Sequence, residues 1–294
     1  MAVQEKVAQI ADLKGSQRGA CVSIGVYALL TALKFGVGWW GGSSGLVADG
    51  VNNLTDVLGS VAVLLGLRLA LRPADAEHRY GHERAENVAA IVVAAIMGLA
   101  GINVAISALG AAFDQERRPP EGTAIWVGVI STCVMLGVYI YNMRLAKRTG
   151  SKALAAAAYD NRSDALSSLG TVLGIVGSRM GWYWSDPAAG LLIALVILHT
   201  AWRIGFEAGH MLMDGFDADR LSQIRERVVR VKGVADVRDL RARYIGTQVA
   251  VEVTVGVFPS LSVAEAHRIC DRVEHTLAGF ESIGHVHVHV EPVS

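Results

Sequence analysis

The sequence predicts a membrane all-α bundle of six transmembrane helices followed by a C-terminal cytoplasmic α+β domain, and three observations predict it. Of 294 residues, 52% are hydrophobic and only 18% are charged, where an ordinary soluble domain carries about one quarter charged. Mean hydropathy is +0.38. The charges are also unevenly spread: of 54, 32 lie in residues 1–212 and 22 in the last 82 residues. The first stretch is membrane-like and the second has globular composition.

The spans follow in order. The first candidate covers about 19–41 and carries Lys34; Gly41-Gly-Ser-Ser-Gly45 separates it from the second, about 46–71. Val88–Phe113 runs 26 residues without a charge and Thr123–Met143 runs 21, each enough to cross the roughly 30 Å of hydrocarbon. Arg117-Arg-Pro-Pro120 lies between them. The fifth candidate covers 152–181, and Ser185-Asp-Pro187 precedes the sixth, 187–212. An even number of spans puts both termini on one side. Eleven Lys and Arg lie in the N-terminal arm, the 2–3 loop and the 4–5 loop, against Arg117, Arg118 and Arg179 opposite, so both termini are expected in the cytoplasm. The expected layout is an arm over 1–18, a membrane domain over 19–212 and a tail over 213–294.

The tail carries its own periodicities. Asp217–Val231 and Ser262–Leu277 have helical spacing, whereas Val234–Ile245, Thr247–Phe258 and Ile283–Glu291 read as strands. The order αββαβ resembles a ferredoxin-like half. Along the last strand His285, His287 and His289 share one face, while Val286, Val288 and Val290 are expected to pack inward.

Composition also excludes. Lys+Arg and Asp+Glu both number 27, so no basic surface points to nucleic acid. Three scattered cysteines, Cys21, Cys133 and Cys270, support neither a disulfide framework nor a CxxC zinc site. The first 19 residues lack a compact apolar run, so no cleavable signal is expected.

Ionisable residues inside spans are costly and by default functional. The second span places Asn52 and Asp56 four residues apart on one helical face, and the fifth places Asp160 and Asp164 at the same spacing. A rise of about 1.5 Å per residue puts the first pair ~10–16 Å from the outer end and the second ~12–18 Å from the inner end, both near the midplane. Four oxygen-bearing side chains at one depth suit a cation cage. The bland alternative is interhelical hydrogen bonding, which serves Asn52 alone better than three mutually repelling carboxylates. Asp49 reads as an entry-path residue or a helix-mouth polar group, and Lys34 as a snorkelling or carboxylate-paired side chain. Asn53, Asn161, Arg162 and Ser163 read as packing contacts. Oxygen donors without imidazole or thiolate suit Mn²⁺, Mg²⁺ or Ca²⁺ over zinc. Among transported transition metals, Mn²⁺ is favoured over Zn²⁺ and Fe²⁺.

With these residues in place, the sequence resembles the cation diffusion facilitators over essentially its whole length. DGVNNLTDVLGSVAVLLGLRLA, RPADAEHRYGHERAENVAA, DNRSDALSSLG and HMLMDGFD are similar to the bacterial manganese-efflux branch. The resemblance implies a homodimeric divalent-cation exporter in the cell's inner (plasma) membrane, working by alternating access and proton antiport, with no cofactor and no enzyme activity. It implies Asn52, Asp56, Asp160 and Asp164 as the transport site; zinc members carry His or Asp at the first position and His at the third. It also implies a secondary loop site at Asp75, His78 and His82, whose two histidines are expected on one helical face. A charge pair between Arg84 and Asp214 and a regulatory tail site at His267, His289 and Glu291 follow in the same way. Arg238 and Thr254 stand where some relatives carry histidines, which sets metal sensing in the tail against a polar dimer-facing strand. His199 and His210 read as interface or packing residues.

Three alternatives stay open on residues alone. The same fold suits a Zn²⁺ or Fe²⁺ (Co²⁺, Cd²⁺) exporter. A non-transporting membrane metal receptor or scaffold would use the tail with a vestigial membrane half. An intramembrane aspartic protease would need a second motif beside Tyr159-Asp160; GxGD and HExxH are both missing from the sequence.

Overall fold

The structure, a computed structural model, describes residues 24–70, 72–73, 75–79, 81–82, 84–114, 118–149, 152–245, 248–278, 280 and 283–293. The N-terminal arm, Cys21 and Arg117 lie outside the described residues. Six long helices come first: α1 (Ile24–Trp40), then α2 (Ser44–Ala70), α3 (Ala85–Phe113), α4 (Gly122–Thr149), α5 (Lys152–Arg179) and α6 (Ser185–Leu212). The tail follows as α7 (Ala218–Val229), β1 (Asp236–Ile245), β2 (Gln248–Val257), α8 (Val263–Leu277) and β3 (Ile283–Pro292). The αββαβ order is as expected.

Two boundaries differ from the sequence reading. Because α4 continues to Thr149 and α5 begins at Lys152, Arg144, Lys147 and Arg148 ride on the end of α4 rather than in a loop. Cations there meet the negative end of the helix dipole. Helix α6 begins at Ser185, so Ser185-Asp-Pro187 forms its first turn instead of preceding it. Proline is tolerated there because first-turn N–H groups lack intrahelical acceptors.

The chain divides into two compact units, one built from residues up to 61 with 93–203, the other from 62–92 with 204–294. In the first, small apolar clusters knit the helices. Tyr27, Leu30, Met135 and Ala165 join α1, α4 and α5; Ala48, Val104, Ile193 and Ile197 join α2, α3 and α6. Close approach demands glycine at Gly128, where a Cβ would sit 2.5 Å from Val172 Cγ2. Large apolar side chains point outward, such as Leu99 at 69% and Ile106 at 66% exposure, as lipid-facing residues do. Of six tryptophans, Trp39, Trp40, Trp126, Trp182 and Trp184 are exposed at the α1–α2, α3–α4 and α5–α6 end, the position of an interfacial aromatic belt. By length and composition α3, α4 and α6 are apolar enough to cross a membrane. Helix α5 is more polar because it carries Asp160, Arg162 and Asp164.

In the second unit the tail forms a sheet of order β1-β2-β3, antiparallel between β1 and β2 and parallel between β2 and β3. A parallel pair needs a crossover, which α8 supplies. Ile224, Val228, Val251, Val255, Val273 and Leu277 form its core. Helix α8 starts with a capping box between Ser262 and Glu265. As expected, Val286, Val288 and Val290 pack against the core, leaving His285, His287 and His289 exposed.

Candidate metal centre

The helical rise that sets depth is visible directly. Asp56 is the thirteenth of 27 residues in α2 and Asp164 the thirteenth of 28 in α5. Both carboxylates stand halfway along their helices, about 18 Å from the helix start.

At that level the two helices touch. Asn52 Nδ2 donates to Asp164 Oδ1 at 3.1 Å. The Tyr27 hydroxyl of α1 donates a short hydrogen bond to Asp164 Oδ2. Tyr27 in turn accepts from Asn161 Nδ2 at 2.8 Å, and Asn161 Oδ1 accepts from Asn142 Nδ2 of α4 at 2.9 Å. Asp164 is only 8% exposed, so its carboxylate is satisfied by donors rather than water. Asp56 differs. Its Oδ2 is buried and meets no hydrogen-bond donor among the described residues, although Asp164 and Asp160 lie within electrostatic reach. Buried polar atoms are nearly always partnered, so this carboxylate oxygen is open to a partner from outside the chain. Asp160, one turn earlier on α5, is exposed. Thus Asn52 and Asp164 are in direct contact with Asp56 nearby, while Asp160 stands at the margin. Among the described residues the three aspartates do not close to mutual ligand distance.

Of the two readings of Lys34, pairing with a carboxylate holds: Lys34 and Asp49 are both fully buried and form an ion pair of 2.8 Å, so Asp49 is not a helix-mouth group. Lys34 Nζ also donates to Asn53 Oδ1 and Ser168 Oγ, each at 2.9 Å. It thereby ties α1 to α2 and α5. Asn53 and Asn161 are indeed packing contacts, but each in a polar network. Tyr27, Asn142 and Ser168 were not singled out by sequence. The available signal was that Tyr27 and Lys34 lie seven residues apart, on one face of an otherwise apolar helix.

The loop residues also come together. Asp75 Oδ1 lies 3.2 Å from His78 Nδ1 and Asp75 Oδ2 lies 3.5 Å from His82 Nε2. The ligand atoms of Asp75, His78 and His82 all fall within 4.8 Å of one another. The expected helical face does not bring them there. The segment is a turn: Gly81 N donates to His78 O at 3.0 Å, and Gly81 has φ +85, a conformation glycine adopts freely. The His78 and Glu77 backbone N–H groups both donate to Asp75 Oδ1. The His78 amide, ahead of the other contacts, holds this carboxyl below the usual aspartate range. Arg84 Nη2 donates to Asp214 Oδ1 at 2.5 Å, with both side chains about half exposed.

In the tail the three expected ligands do not converge within one chain. His289 Nε2 lies 3.8 Å from Glu291 Oε1, but Arg238 already pairs with Glu291. His267 instead lies 3.7 Å from Asp271 on its own helix. An arginine at this position fills the acidic side of the site with a fixed cation. His210 stacks on Phe206 with centroids 6.4 Å apart and packs where a Gly215 Cβ would fall 2.3 Å from Cε1, a packing role as expected. His199 is exposed.

Comparison with known proteins agrees with this architecture. The cation efflux transmembrane domain model matches residues 20–213, and the cation efflux protein cytoplasmic domain model matches 216–293. The manganese efflux system protein MneS of Bacillus subtilis is 41% identical over 282 residues, 96% of this chain and 97% of that one. The magnetosome protein MamM of Magnetospirillum gryphiswaldense is 31% identical over 92% of this chain and 86% of its own. The cation-efflux pump FieF of Escherichia fergusonii is 27% identical over 94% and 93%. With two polar helices meeting at mid-depth and a cytoplasmic αββαβ tail following in sequence, the chain belongs to the cation efflux, or cation diffusion facilitator, family of multi-pass membrane transporters.

Proposed function

We propose that this divalent cation efflux transporter exports Mn²⁺ from the cytoplasm in exchange for protons. It works as a homodimer in the cell's inner (plasma) membrane, with Asn52, Asp56, Asp160 and Asp164 as the transport ligands. The observation that carries the reading is the buried, donorless Asp56 Oδ2 beside the Asn52–Asp164 contact. A dication supplies the missing partner and offsets repulsion among the carboxylates. The set contains only oxygen donors, the preference of a hard six-coordinate ion, and a relative 41% identical over nearly the whole chain is named for manganese efflux.

Helix rocking exposes the site outside, where protons compete for the aspartate oxygens and release the ion. Asp160, at the margin of the cluster, joins the others when metal draws them together. Asp75, His78 and His82 serve as a second, cytoplasmic metal site. Reconstituted protein is expected to take up Mn²⁺ in preference to Zn²⁺, and Asp160→Ala is expected to lose uptake. Asn52→His is expected to shift preference toward Zn²⁺, because imidazole suits the softer ion. Full Mn²⁺ uptake by Asp160→Ala would remove that residue from the site, and Zn²⁺ preference in the wild type would replace the metal. Uptake indifferent to abolishing the pH gradient would reject antiport while leaving transport standing.

A further inference from the structure

Helix α1 contributes none of the four proposed ligands, yet it holds the most buried of them. We infer that Tyr27 is a positioning residue that sets metal specificity: by donating to Asp164 Oδ2, it leaves Oδ1, whose donor at 3.1 Å is the proposed ligand Asn52 itself, as the oxygen Asp164 offers the ion. This inference rests on the transport-site reading above.

The direction of the network supports it. Asn161 Oδ1 accepts from Asn142, so the Asn161 amide presents its Nδ2 to Tyr27. The phenol oxygen is thereby an acceptor on that side, and its proton goes to Asp164 Oδ2. Tyr27 is 7% exposed, and its ring packs in the cluster with Leu30, Met135 and Ala165. The hydroxyl is therefore largely withdrawn from solvent. Lys34, two turns along the same face of α1, bonds Ser168 one turn beyond Asp164 on α5. This second anchor keeps α1 from sliding away from α5 and uncovering Oδ2.

Coordination chemistry turns this into selectivity. Ca²⁺ takes six to eight oxygens and commonly uses bidentate carboxylates, whereas a smaller octahedral ion is satisfied by single oxygens and water. An Asp164 restricted to Oδ1 serves the octahedral ion and denies Ca²⁺ one of the oxygens it needs. Removing the phenol proton frees Oδ2 and relaxes that restriction.

The test is Mn²⁺ uptake by full-length protein in proteoliposomes, with Ca²⁺ as competitor, for wild type, Tyr27→Phe, Asn161→Ala and Asp164→Ala. The readout is the Ca²⁺ inhibition constant divided by the KM for Mn²⁺. Tyr27→Phe is expected to lower this ratio roughly tenfold, the equivalent of one hydrogen bond to a charged group. Asn161→Ala, which removes the donor that orients the phenol, is expected to move it the same way by less, and it carries the test if Tyr27→Phe does not assemble. A general packing defect would lower turnover and leave the ratio alone. An unchanged ratio with an inactive Asp164→Ala overturns the role of Tyr27 while the transport site stands. Undiminished uptake by Asp164→Ala overturns the transport site itself.

Discussion

Replacing Lys34 by methionine is the sharpest test of how the helices are held. Methionine nearly matches the lysine stem in volume, so the change removes a charge without opening a large cavity. Lys34 and Asp49 are both fully buried at 2.8 Å, and the ammonium also serves Asn53 Oδ1 and Ser168 Oγ. Breaking a buried pair by removing one partner costs about 3–5 kcal/mol, because the remaining charge is left uncompensated. The two lost hydrogen bonds belong to that same cost and are not added to it. Among the described residues Asp49 makes no second ion pair, and α2 is pinned at its start by Asp186: Ser44 N donates to Asp186 Oδ2 at 2.8 Å.

The expected outcome is therefore a large loss of stability for Lys34→Met in denaturant unfolding of the detergent-solubilised protein. The double variant Lys34→Met/Asp49→Leu removes both charges, and a buried pair replaced by apolar residues is often neutral. It is expected to recover most of the loss. A single variant as stable as wild type, or a double variant less stable than the single, would refute the account of Lys34 as a buried tie between α1, α2 and α5.

Other outcomes follow from single contacts in both units. The Arg84–Asp214 pair is half exposed on both sides, so Arg84→Ala is expected to change stability by no more than about 1 kcal/mol, read from the same unfolding curves. The Ser262 hydroxyl and, next, its backbone N–H hold the Glu265 carboxyl below the ordinary glutamate value of 4.5. A lowered folded value means the cap is fully present above 4.5 and weakens as pH falls through the folded value. Protection of the Glu265 amide against hydrogen exchange, relative to its intrinsic rate, should fall in that acid window and hold steady above it. Ser262→Ala is expected to cost about 1 kcal/mol. Gly128→Ala is expected to destabilise by about 1–3 kcal/mol through overpacking on Val172, seen as a lower Tm.

Much of this molecule was legible from residues alone, for identifiable reasons. Length and charge distribution set the spans, because hydrocarbon thickness and helical rise leave little freedom. The same arithmetic brought Asp56 and Asp164 to mid-helix from opposite ends. Period-two alternation placed the valines of β3 inward. What sequence did not give is which polar group meets which. Lys34 and Ser168 are 134 residues apart, Tyr27 and Asp164 are 137, and only its seven-residue spacing from Lys34 separates Tyr27 from a lipid-facing aromatic. The loop failed differently. His78 and His82 have helix-like spacing, but Pro73 and Gly81 break the helix, and a turn brings the rings to 4.4 Å instead. In the tail, a match of residue types at His289 and Glu291 could not reveal that Arg238 bonds the glutamate.

The most direct measurement is anomalous diffraction at the manganese absorption edge from crystals of the full chain grown with Mn²⁺. The account predicts a peak between α2 and α5, within bonding distance of Asn52, Asp56 and Asp164, with Asp160 drawn in from its exposed position. Manganese found only at the Asp75, His78 and His82 turn or in the tail, with the space beside Asp56 Oδ2 filled by protein or water, would contradict it.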